Sequence, residues 1–193
     1  MPESTDSDLL DVARAVAYEA RGYLTTVTEV AAGTIHETSI PLLLLAVSDV
    51  LAAGARLGAM VDVVPVERFE PDAGPDPDRD PLRVNLANVL EGIDEYAEVV
   101  DPLVDPRPSS AYLSADLATI ASALDQGLAH FDAGRELEAL WWWQFSYLSS
   151  WGERASSALR VLQALLAHLR LDVPDEVAAE AEFEALHSDS PEL

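Results

Sequence analysis

Residues 140–152 read Leu140-Trp141-Trp142-Trp143-Gln144-Phe145-Ser146-Tyr147-Leu148-Ser149-Ser150-Trp151-Gly152. They hold all four tryptophans of the chain, one of its four phenylalanines and one of its five tyrosines. Aromatic side chains carry the largest apolar areas available, so such a cluster anchors either a core or an interface. No proline interrupts the chain around it, and the spacing predicts a helix from about Glu136 to Arg170, roughly 50 Å long at 1.5 Å per residue. Its expected inward stripe is Leu137, Leu140 or Trp141, Gln144, Leu148, Trp151, Ala155, Leu159, Leu162, Leu166 and Leu169.

Trp141, Trp142 and Trp143 are successive, so they point about 100° apart and cannot share one core face. Spacing places Trp142 over Phe145 and Trp143 over Tyr147, giving two aromatic ridges beside the stripe. One reading makes this helix central, touching neighbours on several sides. Ser146, Ser149, Ser150 and Gly152 support it, since small side chains let helices approach, and a mid-helix glycine costs ~1 kcal/mol against alanine. The other reading sets one ridge against a pocket or a partner. Gln144 falls on the buried stripe and needs a hydrogen-bond partner there. Arg154 lies one turn after Ser150, where its guanidinium can stack on aromatics or pair with a carboxylate of a facing helix. Trp142, Trp143, Gln144, Tyr147, Trp151 and Arg154 are therefore the candidate partner- or ligand-binding residues.

Outward from this segment the pattern stays helical. A first helix runs from about Asp8 to Ala32, capped by Ser7 and stopped by Gly33, with Leu9, Val12, Val16, Ala20, Tyr23, Leu24, Val27 and Ala31 at helical spacing. A second runs from about Ile40 to Leu57 behind Ser39; Leu42 to Leu45 are apolar in every direction, as in a buried central helix. Gly54 and Gly58 lie four apart, and Gly58 reads as the helix end. Residues 62–81 form a Pro-rich acidic loop, long by ordinary loop lengths. A third helix is expected from about Leu82 to Val100 on Leu86, Val89, Leu90, Ile93 and Ala97. A fourth runs from about Ala115 to Asp132, capped by Ser114 and closed by Gly134, with Leu117, Ile120, Ala121, Leu124, Leu128 and Phe131 on one face. Residues 172–193 are an acidic tail with room for a short helix. No strand-like alternation is visible. The fold class is all-α, a single-domain up-and-down bundle of five to six helices.

Composition excludes much chemistry. The chain has 35 acidic and 11 basic residues, a net charge of −24, no cysteine, and arginine as its only strong base. Lysine-dependent phosphate binding and Schiff-base chemistry are absent, as are thiol nucleophiles, disulfides and cysteine-ligated metals. An anionic surface repels phosphate backbones and lipid headgroups, so no direct nucleic-acid or membrane partner is expected. The acidity fits solubility, salt adaptation, genome composition or a DNA mimic. The unbroken apolar run Leu42–Val47 falls short of the ~18 residues of a membrane span, and the acidic N-terminus is unlike a signal peptide, so a cytoplasmic protein is expected.

The stretch Ala139-Leu140-Trp141-Trp142-Trp143-Gln144-Phe145, then Trp151-Gly152-Glu153-Arg154-Ala155 and Ala158-Leu159-Arg160, resembles an uncharacterised bacterial family, a domain of unknown function. Pro41 to Leu45 and Asp94-Glu95-Tyr96-Ala97-Glu98-Val99 are similar to its earlier landmarks, so the likeness spans most of the chain. The family carries no assigned activity. Some members are encoded beside a recombinational-repair mediator, which implies a DNA-repair protein as a partner. Members carry Asp, Ile and Tyr near the middle of the fourth helix, where this chain has Leu117-Ala118-Thr119-Ile120-Ala121.

Two constellations were weighed for catalysis. Glu91-x-x-Asp94 and Glu95-x-x-Glu98 resemble the carboxylate pairs with which all-α nucleotide pyrophosphohydrolases hold Mg²⁺, although those enzymes need a second pair on a facing helix. A di-iron bundle needs two Glu-x-x-His motifs, and only Glu184-Ala185-Leu186-His187 occurs. His36, His130 and His168 are scattered, and no nucleophile–base pair can be assembled. The expectation is a non-enzymatic protein-interaction or adaptor module with no cofactor and an unidentified protein partner. The alternatives are a Mg²⁺-dependent nucleotide hydrolase using Glu91, Asp94, Glu95 and Glu98, and an acidic DNA-mimic or repair accessory factor.

Overall fold

The computed structural model describes residues 6–35, 38–64, 78–99 and 106–171. Helix α1 spans Asp6–Ala31 and α2 Ser39–Ala59. A short α3, Asp80–Val89, leads to strand β1, Glu95–Glu98, which pairs antiparallel with β2, Ser109–Tyr112. Helix α4, Leu113–Asp132, follows directly, then α5, Glu136–Ser146, a π-turn at Tyr147–Trp151, and α6, Gly152–Leu171. The last three form one rod, since the backbone stays right-handed helical at Ser146, Tyr147 and Gly152. The described residues are thus mostly helical, five helices with one small hairpin.

The stripes read from spacing are the packed faces. Val16, Ala20, Tyr23 and Val27 of α1 meet Leu43, Val47, Val50 and Leu57 of α2 and Leu117, Ile120, Leu124 and Leu128 of α4 in one core. Gly33, at φ 70°, donates its N–H to Val30 O and stops α1. Gly134, at φ 72°, likewise turns the chain between α4 and α5.

The third helix is shorter than its periodicity suggests, and the hairpin takes its end. Gly92 adopts φ 86°, which no helix can pass through. Asp94 then caps α4: its carboxylate accepts from the Ser114 N–H at 2.7 Å and the Ser114 hydroxyl at 2.8 Å, and its carbonyl accepts from Leu113 N–H at 2.9 Å. The cap of α4 is therefore Asp94, from a distant turn, and not Ser114, which lies inside the helix.

Helix α2 is longer than the apolar run read from the sequence. At 21 residues, with a mean hydropathy of 1.8 over an 18-residue window, it is long and apolar enough to cross a membrane by length and composition. Here it packs against α1 on one side and α6 on the other. Most of the acidic loop at 62–81, the tail at 172–193, His36 and His187 lie outside the described residues.

Candidate functional site

The aromatic segment divides between core and surface. Trp143 and Trp151 are fully buried, and Gln144 and Ser146 are buried with them. Trp143 packs on α4 where Gly127 leaves room; a Cβ on Gly127 would lie 1.9 Å from the indole Nε1. Tyr147 and Trp151 meet edge to face, ring centroids 4.9 Å apart, over Gly54 of α2, where a Cβ would come within 2.4 Å of both rings. Gly58, one residue before the end of α2 as its reading as a helix end requires, also faces the Tyr147 ring. The wide spacing Gly54–Gly58 is thus a close-approach face for the rod.

Hydrogen bonds fix these rings. The Trp142 and Trp143 indole N–H groups donate to Ala123 O at 2.8 Å and Leu124 O at 3.2 Å, consecutive carbonyls of α4. Trp151 Nε1 donates to Ser146 Oγ at 3.1 Å, and that hydroxyl donates to Trp142 O at 2.6 Å. Gln144 latches the end of α2: its Nε2 donates to Leu57 O at 2.8 Å, and its Oε1 accepts from Val63 N–H at 2.8 Å. The partners that burial demanded for Gln144 are therefore backbone groups at and just beyond the C-terminus of α2, with Leu57 O shared between Gln144 and the Met60 N–H.

The π-turn decides which residue faces out. Gly152 N–H bonds Tyr147 O, five residues back, and a Cβ on Gly152 would lie 2.6 Å from that carbonyl. Tyr147 takes the inward place against α2, and Leu148, expected on the core stripe, is 63% exposed. The ridges also differ from spacing. Trp142 does meet Phe145, tilted at 6.4 Å, but the parallel stack on Phe145 is made by Trp141, centroids 5.6 Å apart and planes 10° from parallel, and Trp143 contacts Phe131. Phe145 is 51% exposed. Trp141, Phe145 and Leu148 line a cleft of 390 Å³ with Asp62, Val63 and Val64, and the exposed Val61 lies beside it.

Arg154 belongs to a second cluster. It donates to Asp116 Oδ1 at 2.7 Å, while the Tyr96 hydroxyl donates to Asp116 Oδ2 at 2.5 Å. Asp116 is buried on the first turn of α4, and burial raises its carboxyl above the ordinary 3.8, although Tyr96 and Arg154 pull it down. Burial, then the bond to Asp116, pushes the Tyr96 hydroxyl far above its ordinary value, so it stays a donor. Glu98 is buried beside them and accepts from Ser157 of α6, and Arg160 donates to Ala97 O at 3.2 Å. The cluster fastens the hairpin to α4 and α6.

The carboxylates offered as a metal site are dispersed. Asp94 caps α4, Glu95 accepts from Ser110 across the hairpin, Glu98 turns in to Ser157, and Glu91 lies in the turn before them. Helical Glu-x-x-Asp geometry does not arise, because these residues are not on a helix. Among the described residues no group of three or more His, Cys, Asp or Glu could hold a metal ion.

The model of the family described as "Domain of unknown function (DUF5063)" matches residues 7–168. The chain belongs to the DUF5063 family. A solved structure similar to it is that of protein BF1032 from Bacteroides fragilis, a Northeast Structural Genomics Consortium target. It is 17% identical, with a TM-score of 0.65, and the match covers 83% of this chain and 92% of that one. At that identity the likeness shows the fold alone. No curated protein matches the chain.

In this DUF5063 chain two of the stretches that carried the resemblance meet in space: Tyr96 of Asp94–Glu98 and Arg154 of Trp151–Ala155 converge at Asp116. Sequence reasoning missed Asp116, Tyr96 and Ser157, because nothing in the spacing ties a strand to a helix start. It also placed Leu148 on the core stripe, since the π-turn that turns it outward has no helical period to betray it.

Proposed function

We propose that this DUF5063 chain is a non-enzymatic protein-interaction module, and that its working surface is the cleft beside the π-turn. The supporting observation is the exposure of Phe145 and Leu148, with Val61 and Val64 exposed nearby, in an aromatic segment whose Trp143 and Trp151 are fully buried. Large side chains left bare and contiguous on a rigid element are what partners dock on. Trp142, Trp143, Gln144, Tyr147 and Trp151 then act from beneath, holding that surface in place. π-turns are frequent at functional sites.

The occupant we propose is a basic amphipathic segment of another protein. A net charge of −24 favours a cationic partner, and Asp62 offers a carboxylate at the rim of an otherwise apolar cleft. An apolar side chain of the partner fills the cleft and its basic residues face the rim. A basic DNA-repair protein falls in this class. The carboxylate-pair hydrolase has no comparable support, since Asp94, Glu95 and Glu98 are engaged in capping, hairpin and α6 bonds.

The test is fluorescence anisotropy with a labelled Leu/Lys amphipathic helical peptide. Binding is expected in the micromolar range, weakening with salt, and lost in Leu148→Asp. That substitution adds negative charge, which by electrostatics alone would strengthen binding to a cationic peptide. Equal or tighter binding by Leu148→Asp would reject the cleft as the docking site.

A further inference from the structure

We propose that the outer face of α1 and α2 joins two copies of this chain. The face is largely apolar, and no described residue covers it. Tyr18 is 75% exposed, Leu45 is 61% exposed, and Leu42 is half-buried between them, lining a groove of 460 Å³. Over its most apolar window only 44% of α2 is buried, although α1 and α6 both pack on it.

Gly22 is the second observation. It lies mid-helix on the exposed face of α1, where glycine is the poorest helix former after proline. Gly127 and Gly54 make room for rings of this chain, but a Cβ on Gly22 would meet nothing within 4 Å. No described residue packed there explains the glycine. A helix approaching from outside explains it, because a missing side chain brings two backbones together.

Charge selects the occupant. A second copy is repelled everywhere that the molecule is strongly acidic, and the net charge of −24 makes that most of it. The α1–α2 face is close to balanced. Glu19, Arg21 and Asp49 line the groove, and Arg56 joins Glu19 in the adjoining recess. Arg21 also pairs with Asp132 of α4 at the groove edge, so three acids stand against two bases, far from the 35 against 11 of the whole chain. A face of alternating sign is complementary to itself under a two-fold axis, where each contact occurs twice. The acids of one copy meet the bases of the other, and Tyr18 and Leu45 close over the glycine gap. A strongly basic partner gains little from a nearly neutral face, which separates this surface from the cleft at Leu148.

Sedimentation velocity over a concentration series tests the proposal. Wild type is expected to shift reversibly from monomer to dimer. The dimer should strengthen from about 0.1 M to about 1 M salt, as the screening length falls from ~10 Å to ~3 Å and the repulsion between the acidic remainders fades. Peptide binding at the cleft should weaken over the same range. Leu45→Asp should weaken dimerisation at least about tenfold, while Leu148→Asp leaves it unchanged. Gly22→Ala guards against misfolding: it should raise the melting temperature of the dilute monomer while weakening the dimer. A wild type that stays monomeric throughout overturns the proposal, including one that instead collects on phosphatidylcholine vesicles. A Leu45→Asp or Gly22→Ala variant that dimerises as well as wild type overturns it too.

Discussion

Trp143 of α5 lies so close to Gly127 of α4 that a single methyl group on the glycine would sit 1.9 Å from the indole nitrogen. The same indole donates to Leu124 O, one turn earlier on α4. The α4–α5 contact is thus set by a ring against bare backbone, with no side chain between them.

Gly127→Ala is expected to destabilise the fold by about 3 kcal/mol, the upper end for overpacking a core, despite alanine's better helix propensity. Urea denaturation followed by tryptophan emission measures it. A variant within about 0.5 kcal/mol of wild type would mean that Trp143 can leave Gly127 freely, and that the interlock is not what fixes α5.

Gln144 ties three backbone groups at the end of α2 to the rod. Gln144→Leu keeps the volume and removes both bonding ends, leaving buried Val63 N–H without its acceptor. A loss of about 2 kcal/mol is expected, the cost of an unsatisfied buried group plus lost bonds. Hydrogen exchange supplies the specific readout: the Val63 amide should exchange far faster in the variant, while Val47 and Val50 amides in mid-α2 slow or hasten only with global stability. Unchanged protection at Val63 would count against the latch.

These two sites also mark where the sequence is informative. Helical spacing finds Val16, Ala20, Tyr23 and Val27 on α1 and Leu117 to Leu128 on α4, because each stripe is local and repeats along its own helix. It places Gln144 inside for the same reason. It fails from Gly92 onward, where Ile93 and Ala97 continue a helical period but the glycine turns the chain and Asp94 finds a stronger use as the cap of α4. The strand that follows pairs with residues beyond a proline-rich connector, a non-local contact with no periodic signature. Leu148 is misplaced by one π-turn, and Asp116 is silent in sequence because its partners come from β1 and α6. Glycines at 54 and 127 look like weak helix positions until the rings that fill them are in view.

The Asp116 cluster gives a pH prediction with a definite sign. Asp116 is faced by Tyr96 and Glu98 from β1, Arg154 from α6 and Tyr23 from α1. Burial holds its folded value above the ordinary 3.8, so between the two values the folded chain binds more protons than the unfolded one. The contribution of this group is fully present below pH 3.8 and is lost as pH rises through the folded value. Asp116→Asn keeps an acceptor for Tyr96 or Arg154 and abolishes the titration. Wild-type stability minus that of Asp116→Asn should therefore fall as pH rises from about 3.8 to neutrality, the other carboxylates cancelling in the difference. Urea melts at stepped pH test it; a difference that rises with pH would mean that ion pairing with Arg154 outweighs desolvation.

The division of the aromatic segment can be read from two substitutions only two residues apart in sequence. Trp143 is buried against α4, so Trp143→Ala should cost about 3–5 kcal/mol through lost transfer energy and an unfilled cavity. Phe145 is half in water and touches mainly Trp141 and Trp142, so Phe145→Ala should change stability by no more than about 1 kcal/mol, the worth of an exposed aromatic pair. If Phe145 serves only the fold, its removal should leave the amphipathic peptide bound as before. If it belongs to the docking surface, peptide affinity falls by about tenfold while the melting curve barely moves, the 1.4 kcal/mol of a partly buried anchor appearing in binding alone. Affinity and stability that fall together, in both variants and in the same proportion, would show the ridge to be core throughout and would remove the surface on which the interaction reading stands.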